Sequence, residues 1–165
     1  MGIENSKAFR IAILGAIAGA IAWAEPHVRV VGENSVRYSV LWEVGGPVGR
    51  GDYVAVPMPA QFLKPDPGGV KGLLMGPGPR LFTKRVGCMG GEILRVANGG
   101  HYCGDVWLGR ALSHGSDGRV LQMFVWNGPV PYGKVFLTGD DPRSYDSRYL
   151  GFFDQNDVVR LKGLW

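Results

Sequence analysis

The sequence predicts a mainly β fold, an antiparallel β-sandwich or coiled barrel preceded by one N-terminal hydrophobic helix. The 165 residues include 27 glycines and 11 prolines, whereas charged residues make up only 19% of the chain. Such a composition is typical of short strands joined by many turns, and the length suits one domain. Runs of β-branched and aromatic residues recur after residue 25, and no heptad repeat or long amphipathic helix lies among them.

The hydrophobic helix is predicted within residues 1–25. Lys7 and Arg10 precede the uncharged run 11–24, which ends in Ala-Trp-Ala. A basic start, a short apolar run and a small-residue ending are typical of a secretory signal peptide. A helix over this run would span roughly 21 Å, short of the ~30 Å hydrocarbon core, so a cleaved signal, a short membrane anchor and a buried core helix all stay open. Either of the first two exports a domain of residues 26–165, with the N-terminus in the cytoplasm.

Seven strands are predicted after that segment, from apolar runs bounded by turn residues. They are His27–Val31, Tyr38–Val44, Asp52–Pro57, Leu81–Val86, Glu92–Ala97, Val120–Val125 and Lys134–Leu137. Clusters such as Asn98-Gly99-Gly100 predict turns between them. The Pro- and Gly-rich segment Pro57–Gly78 is predicted to be a covering loop with a helical turn.

Cys88 and Cys103 are the two cysteines of the chain. In an oxidising compartment an isolated pair most simply forms a disulfide, and free thiols are the alternative. The spacing matches no zinc pattern and the chain has only three histidines. We therefore expect no metal site and no cofactor.

Other functional classes are disfavoured by the sequence. The net charge of +4 comes from scattered basic residues, whereas nucleic-acid binders concentrate them, so no nucleic-acid partner is expected. His101 or His114 with Asp105 or Asp117 could form part of a Ser-His-Asp set, but no nucleophile elbow accompanies them. The run Gly87–Gly91 lacks the G-K-[ST] of a phosphate-binding loop.

Residues 130–151 hold the densest motif of the chain. They fit the pattern P-x-G-x-[YF]-F-x-x-G-D-[ND], followed by S-x-D-S-R-[YF]-x-G. The matching residues are Pro131, Gly133, Phe136, Gly139, Asp140, Ser144, Asp146, Ser147, Arg148, Tyr149 and Gly151. This stretch closely resembles the signature of type I signal peptidases, which are membrane-bound Ser/Lys proteases.

A second stretch resembles the lysine box of the same family, K-R-x-x-G-x-P-G-[DE]. Lys84, Arg85, Gly91 and Glu92 stand at the matching offsets, and Gly90 replaces the proline. The lysine box precedes the S-x-D-S-R stretch, which is also the order in the family.

The nucleophile box is most similar to that of the TraF-type conjugative-transfer peptidases, roughly S-[ILV]-P-x-G-L-Y. Ser35 begins the matching frame, and Gly51 lies sixteen residues further on, where those peptidases begin a Gly-rich strand. Arg37 replaces the family's proline and Ser39 its glycine. Ser39 is the rival nucleophile, because the two serines would share one face of a strand, but the spacing to Gly51 favours Ser35.

The resemblance implies a signal-peptidase-like β fold and a Ser/Lys dyad. Ser35 would be the nucleophile and Lys84 the base that accepts its proton. A lysine amine is mostly protonated at neutral pH, so this role requires apolar surroundings that lower the pKa of Lys84. Leu81, Phe82 and Val86 supply apolar neighbours in the sequence.

Supporting roles are also implied by the resemblance. Ser144 would orient Lys84 through a hydrogen bond. Asp146 and Arg148 would form an ion pair behind the dyad. These are positioning roles, and a catalytic dyad needs positioning to within about 0.5 Å.

The oxyanion of the tetrahedral intermediate would be bound by the backbone N–H of Ser35. General signal peptidases add a hydroxyl two residues before the nucleophile. Glu33 occupies that position here, and an ionised carboxylate is not a donor. Asn34 is the candidate for the second donor.

The leading interpretation is a serine endopeptidase that processes exported precursors, either pilin or other conjugative-transfer proteins. Its expected location is the outer face of the bacterial inner membrane, or the periplasm if the N-terminal segment is cleaved. The expected partners are an extended precursor polypeptide with small residues before the cleaved bond, the inner membrane and other transfer-apparatus proteins. Whether water or the amino terminus of the product resolves the acyl-enzyme, giving a linear or a cyclic product, stays open.

Two alternative functions also stay open. The first is a housekeeping signal peptidase I that removes Ala-x-Ala signal peptides, although such enzymes carry an S-M-x-P box and usually extra domains. The second is an inactive relative that serves as a scaffold in a transfer complex, an alternative that the departures at Glu33, Arg37 and Ser39 keep open.

Overall fold

The structure of the chain, a computed structural model, describes residues 13–17, 19–20, 23, 27–31, 36–57 and 81–164. The described strands form two antiparallel sheets, one of seven strands and one of four. The mainly β class predicted from the sequence is therefore confirmed. Ser35, Asn34 and Glu33 lie outside the described residues, as does nearly all of the predicted loop Pro57–Gly78.

The seven-stranded sheet, which we call the large sheet, contains most of the long strands. They are β1 (Val28–Val30), β2 (Val40–Glu43), β3 (Tyr53–Pro57), β4 (Leu81–Met89), β9 (Lys134–Thr138), β10 (Phe153–Asp154) and β11 (Val159–Gly163). Their order across the sheet is β1-β2-β11-β3-β4-β9-β10, and every neighbouring pair is antiparallel. The last strand along the chain therefore lies between the second and the third.

The four-stranded sheet, which we call the small sheet, has the order β7-β6-β5-β8. Its strands are β5 (Ile93–Ala97), β6 (Gly100–Cys103), β7 (Val106–Arg110) and β8 (Gly128–Pro129). A two-residue turn joins β5 to β6. Its residues, Asn98 and Gly99, have φ of 51° and 74°, and two positive values are typical of the type I′ turn of tight hairpins.

The central strand β3 of the large sheet is buried on both faces. Val54 and Val56 belong to one apolar cluster, together with Leu137 of β9. Ala55 belongs to another, together with Leu161 of β11. Alternate side chains of a strand point to opposite faces, so each of these clusters covers one face of the sheet.

A third apolar cluster joins the two sheets. Phe136 of β9 enters it from the large sheet and Leu94 of β5 enters it from the small sheet. The predicted disulfide lies in the same cluster: Cys88 of β4 is bonded to Cys103 of β6, with the two Cα atoms 5.5 Å apart. Both cysteines are buried, so the covalent link between the sheets is shielded from solvent.

Six of the seven predicted strands are present, with shifted ends, but Val120–Val125 is not a strand. This prediction was wrong, because only Val120 makes an isolated bridge. Val120 and Val125 are exposed, whereas Phe124 packs in the cluster between the sheets. The N–H of Phe124 donates to the carbonyl of Arg148 instead of to a neighbouring strand.

Residues 13–17 and 19–20 have helical backbone. The ends of the predicted hydrophobic helix lie outside the described residues. Within the described part of the chain, no helix is long and apolar enough to cross a membrane. The assignment of residues 1–25 to a signal peptide or anchor stays a prediction.

Candidate active site

Lys84 lies in β4 with its side chain turned into the protein. The residue is 4% exposed, whereas the next residue, Arg85, is exposed. Lys84 stands opposite Val54 of β3, and its Nζ atom is 5.1 Å from the centroid of the Phe82 ring. The alternation of side chains along a strand thus places the side chain of one of these two adjacent basic residues inside the protein and that of the other outside.

The Lys84 amine contacts a hydroxyl that is distant in the sequence. Its Nζ lies 2.7 Å from Oγ of Ser144, which is itself 7% exposed. The Ser144 main chain is held on both sides: its N–H donates to the Asp141 carbonyl over 2.9 Å, and its carbonyl accepts from Nη2 of Arg148 over 3.0 Å. The position of Ser144 is therefore restrained by its main chain as well as by its contact with Lys84.

Asp146 and Arg148 form a buried ion pair behind this contact, each being 1% exposed. Nη2 of Arg148 lies 2.7 Å from Oδ2 of Asp146, and Nε lies 2.9 Å from Oδ1. Asp146 also caps the short helix Ser147–Leu150 and accepts from the N–H of Gly139 over 2.8 Å. Burial on its own would lower the pKa of Arg148, but the hydrogen bonds and charge of Asp146 outweigh it and hold that pKa above its usual value. The Arg148 guanidinium therefore stays charged.

The small sheet also binds Arg148. Nη1 of Arg148 donates to the carbonyl of Arg110 in β7 over 2.9 Å. The approach requires glycine at the preceding position: Gly109 has φ of 124°, and a Cβ there would lie 2.9 Å from Nη1. The guanidinium thus fastens the turn that carries Ser144 to the backbone of β7.

The chain just after Ser35 packs on β3 and β4, on the face of the large sheet opposite that of Val54 and Lys84. Val36 is 7% exposed and belongs to the apolar cluster of Ala55 in β3, against which Leu81 of β4 packs. Ser35 itself lies outside the described residues, so its role as nucleophile and oxyanion donor stays a prediction.

The rival nucleophile Ser39 is exposed and lies directly before β2. Its carbonyl accepts from the N–H of Val31, beside the edge strand β1. Two strands, β11 and β3, separate β2 from β4, a distance of roughly 14 Å at the usual strand spacing. This placement disfavours Ser39 as the partner of Lys84.

Asp140 is a site residue to which the sequence motif assigned no role. Its carboxylate contacts the main chain of Arg37, the hydroxyl of Tyr53 and the side chain of Arg85. The sequence feature that could have indicated this role is the pair Gly139-Asp140 directly after β9, because it falls inside the recognised pattern. Its partners come from three distant segments, and the pattern alone does not indicate them.

One group of metal-type donors occurs in the described residues, formed by Cys88, Glu92 and Cys103. The ligand atoms lie within 4.8 Å of one another. Cysteine binds metals as the thiolate, and both sulfurs are joined in the disulfide. This group therefore does not offer a zinc-type ligand set.

Comparison with known proteins identifies the class. The family model described as signal peptidase, peptidase S26, matches residues 6–162, so the protein is a serine peptidase of the signal-peptidase type. The chain belongs to the signal peptidase family, peptidase S26. No curated protein is a significant match to the chain.

Proposed function

We propose that the chain is an endopeptidase with a Ser35/Lys84 dyad, closest to the TraF-type peptidases, which processes pilin or other conjugative-transfer precursors. The observation that carries this proposal is the buried Lys84 amine, 2.7 Å from Ser144 Oγ. A lysine that serves as a base has to be kept out of water and held in one orientation. The burial and the hydroxyl contact supply these two conditions.

The proposed reaction passes through an acyl-enzyme. The neutral Lys84 amine takes the proton of the Ser35 hydroxyl while the oxygen attacks the scissile carbonyl. The Ser35 N–H and a second donor, for which Asn34 is the candidate, stabilise the oxyanion. The C–N bond then breaks, the leaving amine takes the proton from Lys84, and an ester to Ser35 remains. Water, or the amino terminus of the product, attacks this ester while Lys84 takes a proton from the attacking group. The bond to the serine oxygen then breaks, and Lys84 passes that proton to the serine oxygen.

A strand edge beside Lys84, unpaired among the described residues, supports the proposal that the substrate binds in an extended conformation. Strand β9 pairs with β4 only from Arg85 onward, so no strand among the described residues covers Leu81–Lys84 on the side away from β3. Val86 makes both of its main-chain hydrogen bonds toward β3 and the turn before it. Main-chain groups alternate sides along an antiparallel strand, so those of Thr83 face the open edge. A peptide can add there as a strand, next to the proposed base.

The cellular setting is part of the same proposal. Residues 1–25 would be a signal peptide or membrane anchor, and residues 26–165 a periplasmic peptidase domain with a sandwich or barrel arrangement. The active site would then face the periplasm at the inner membrane. A precursor with small residues before the cleaved bond would reach it after export, together with other transfer-apparatus proteins.

The test is mass spectrometry of a candidate pilin precursor produced with the full chain. We expect cleavage with the wild-type chain and no cleavage with Ser35→Ala or Lys84→Met, because these changes remove the nucleophile or the base. Ser39→Ala is the matched control and should retain most of the processing. The mass of the product also distinguishes a linear from a cyclic pilin.

Three other outcomes would redirect the proposal. Normal processing by Ser35→Ala means that the nucleophile is wrongly assigned. Efficient cleavage of ordinary Ala-x-Ala secreted precursors favours the housekeeping signal peptidase. A wild-type chain that processes nothing, and is not acylated at Ser35 by a penem probe, is an inactive scaffold.

A further inference from the structure

We propose that Asp140 is a positioning residue of the peptidase site, which holds the main chain directly after Ser35 through a carboxylate–amide hydrogen bond. This rests on the proposed function, because Ser35 is the nucleophile there. Asp140 lies two residues beyond the end of β9. From that position it contacts three separate parts of the fold.

One carboxylate oxygen of Asp140 accepts two hydrogen bonds. Oδ2 lies 2.8 Å from the main-chain nitrogen of Arg37 and 2.6 Å from the hydroxyl oxygen of Tyr53 in β3. The other oxygen, Oδ1, lies 3.5 Å from Nε of Arg85 in β4. The carboxylate therefore joins the segment that contains Arg37 to the two strands at the centre of the site, across 103 residues of sequence.

The three groups that contact the Asp140 side chain are all donors, which suits two acceptor oxygens better than an amide. Hydrogen bonds to an ionised acceptor are about twice as strong as neutral ones. Burial, together with the hydrogen bond to Asp140 and its charge, raises the pKa of Tyr53 to about 12, so the phenol keeps its proton and donates. An asparagine at position 140 would place its amide NH₂ group against either the Arg85 side chain or the Arg37 N–H. Both of these groups are donors, so in either orientation two donors would face each other without an acceptor.

The contact acts on the main chain of Arg37 and does not use its side chain. Position 37 is where the sequence departs from the peptidase pattern, and the proline of that pattern has no N–H to donate. The Asp140 carboxylate thus restrains a segment that a proline ring would restrain by fixing φ. Arg37 is two residues from Ser35, and misplacing a catalytic group by about 1 Å can reduce a rate by about 10²-fold.

The first test is the rate at which a penem probe acylates Asp140→Asn, which keeps the shape of the side chain and removes its charge. We expect the acylation rate to fall roughly 10- to 100-fold. For the precursor, kcat should fall while KM changes little, because the open edge of β4 that binds the peptide is unchanged. A wild-type acylation rate in Asp140→Asn would overturn the positioning role.

Two variants of Arg37 distinguish a contribution of its main-chain N–H from a contribution of its side chain. Arg37→Ala keeps the amide N–H, and Arg37→Pro removes it. Asp140→Asn should lower the acylation rate by the same factor in Arg37→Ala as in the wild type, but by roughly threefold or less in Arg37→Pro, where the hydrogen bond is already absent. Equal factors in all three backgrounds would show that Asp140 acts through another contact.

Hydrogen exchange of the Arg37 amide, followed by NMR, tests the contact without any peptidase activity. We expect exchange to become roughly tenfold faster or more in Asp140→Asn. Asp141→Asn is the matched control, because that neighbouring carboxylate contacts Arg143, and it should leave the Arg37 exchange rate unchanged. An unchanged rate in Asp140→Asn would contradict the proposal.

The two measurements also separate the two proposals. If the wild-type chain is acylated at Ser35 and Asp140→Asn is acylated equally fast, only the positioning role is wrong. If the wild-type chain is not acylated although its Arg37 amide is protected, the proposed function is wrong, and the positioning role is withdrawn with it.

Discussion

The large and the small sheet differ in burial and in what they contribute to the site. In the large sheet, Val54, Ala55 and Val56 are all at most 1% exposed, and the neighbouring strand carries the proposed base. In the small sheet, Val106 and Trp107 of β7 are each 49% exposed. The small sheet is nevertheless bonded to the segments that surround the proposed base. We infer from this difference that the position of Lys84, the proposed base in the large sheet, depends on the small sheet. The small sheet itself carries none of the proposed catalytic residues.

Three connections, one covalent and two made by hydrogen bonds, join the small sheet to the proposed site. They are the Cys88–Cys103 disulfide, the hydrogen bond from Arg148 to the Arg110 carbonyl, and the contact of His101 with Phe124, whose N–H binds the Arg148 carbonyl. Breaking them one at a time tests the comparison between the sheets. A fourth substitution, at Tyr53 in the large sheet, adds a residue of the large sheet to this comparison.

Breaking the connection at Arg148 has the largest expected effect. Arg148→Met leaves Asp146 as a buried charge without its partner, so we expect the free energy of unfolding to fall by about 3–5 kcal/mol, with loss of precursor processing. Urea unfolding followed by circular dichroism measures it. The control is Arg143→Met, an exposed arginine paired with Asp141, which should change the free energy of unfolding far less because solvent screens the pair. Equal losses in the two variants would mean that the buried pair does not hold the turn.

Removing the disulfide ranks second. The bond closes a loop of 15 residues, so Cys88→Ala with Cys103→Ala should lower the free energy of unfolding by about 3 kcal/mol. Reduction of the wild-type protein should give a similar loss, measured by the same urea titration. If the oxidised and reduced proteins unfold at the same urea concentration, the covalent link between the sheets contributes nothing to stability.

The third prediction concerns the pH dependence of stability at His101, which is fully buried, with Nε2 2.8 Å from the Phe124 carbonyl oxygen. Burial lowers the pKa of His101 below 6.5, and the charge of Arg148 lowers it further, against the hydrogen bond to Phe124 and the charge of Asp146. As the pH falls below 6.5, the unfolded chain therefore binds more protons than the folded one, and the free energy of unfolding decreases.

His101→Gln tests this prediction, because it removes the titration and keeps a donor for the Phe124 carbonyl. The decrease in stability below pH 6.5 should become shallower in this variant, as measured by urea titrations at a series of pH values. The matched control is His114→Gln, a change at an exposed histidine, which should leave the slope as it is. A wild-type slope in His101→Gln would show that another group is responsible.

The smallest effect is expected in the large sheet, at Tyr53. Burial and the contact with Asp140 raise the pKa of Tyr53 to about 12, above its unfolded value of about 10. The folded chain therefore keeps a proton that the unfolded chain loses, so stability is complete below pH 10 and declines from pH 10 toward pH 12. Tyr53→Phe should reduce this decline, whereas Tyr132→Phe, at a residue that is 90% exposed, should not. Unfolding titrations across that range decide between these results.

Much of the fold could be predicted from local patterns. The strands β3, β4 and β9 were recognisable because β-branched and aromatic runs end at turn residues. The hairpin strand β6 was missed although Asn98-Gly99 is a strong turn signal, because its own residues include Gly and His. Strand β11 was missed because its partners, β2 and β3, lie more than 100 residues earlier in the chain.

The false strand at Val120–Val125 illustrates the limit of propensity. Its β-branched residues fit a pleated surface, but the structure exposes them and uses the main chain of Phe124 to bind Arg148. β-propensity depends on what a segment packs against. The sequence of the segment does not contain that information.

For the site, the sequence by itself determined the residue types and their order: a lysine on an apolar strand, followed by the S-x-D-S-R turn. The family match over residues 6–162 agrees with the signal-peptidase class that these motifs indicate. The resemblance already implied the hydrogen bond between Lys84 and Ser144, whereas only the tertiary structure decided that Asp140 contacts Arg37 across 103 residues. The reason is physical: local propensities depend on near neighbours, whereas these contacts depend on which strands pair and which faces are buried together.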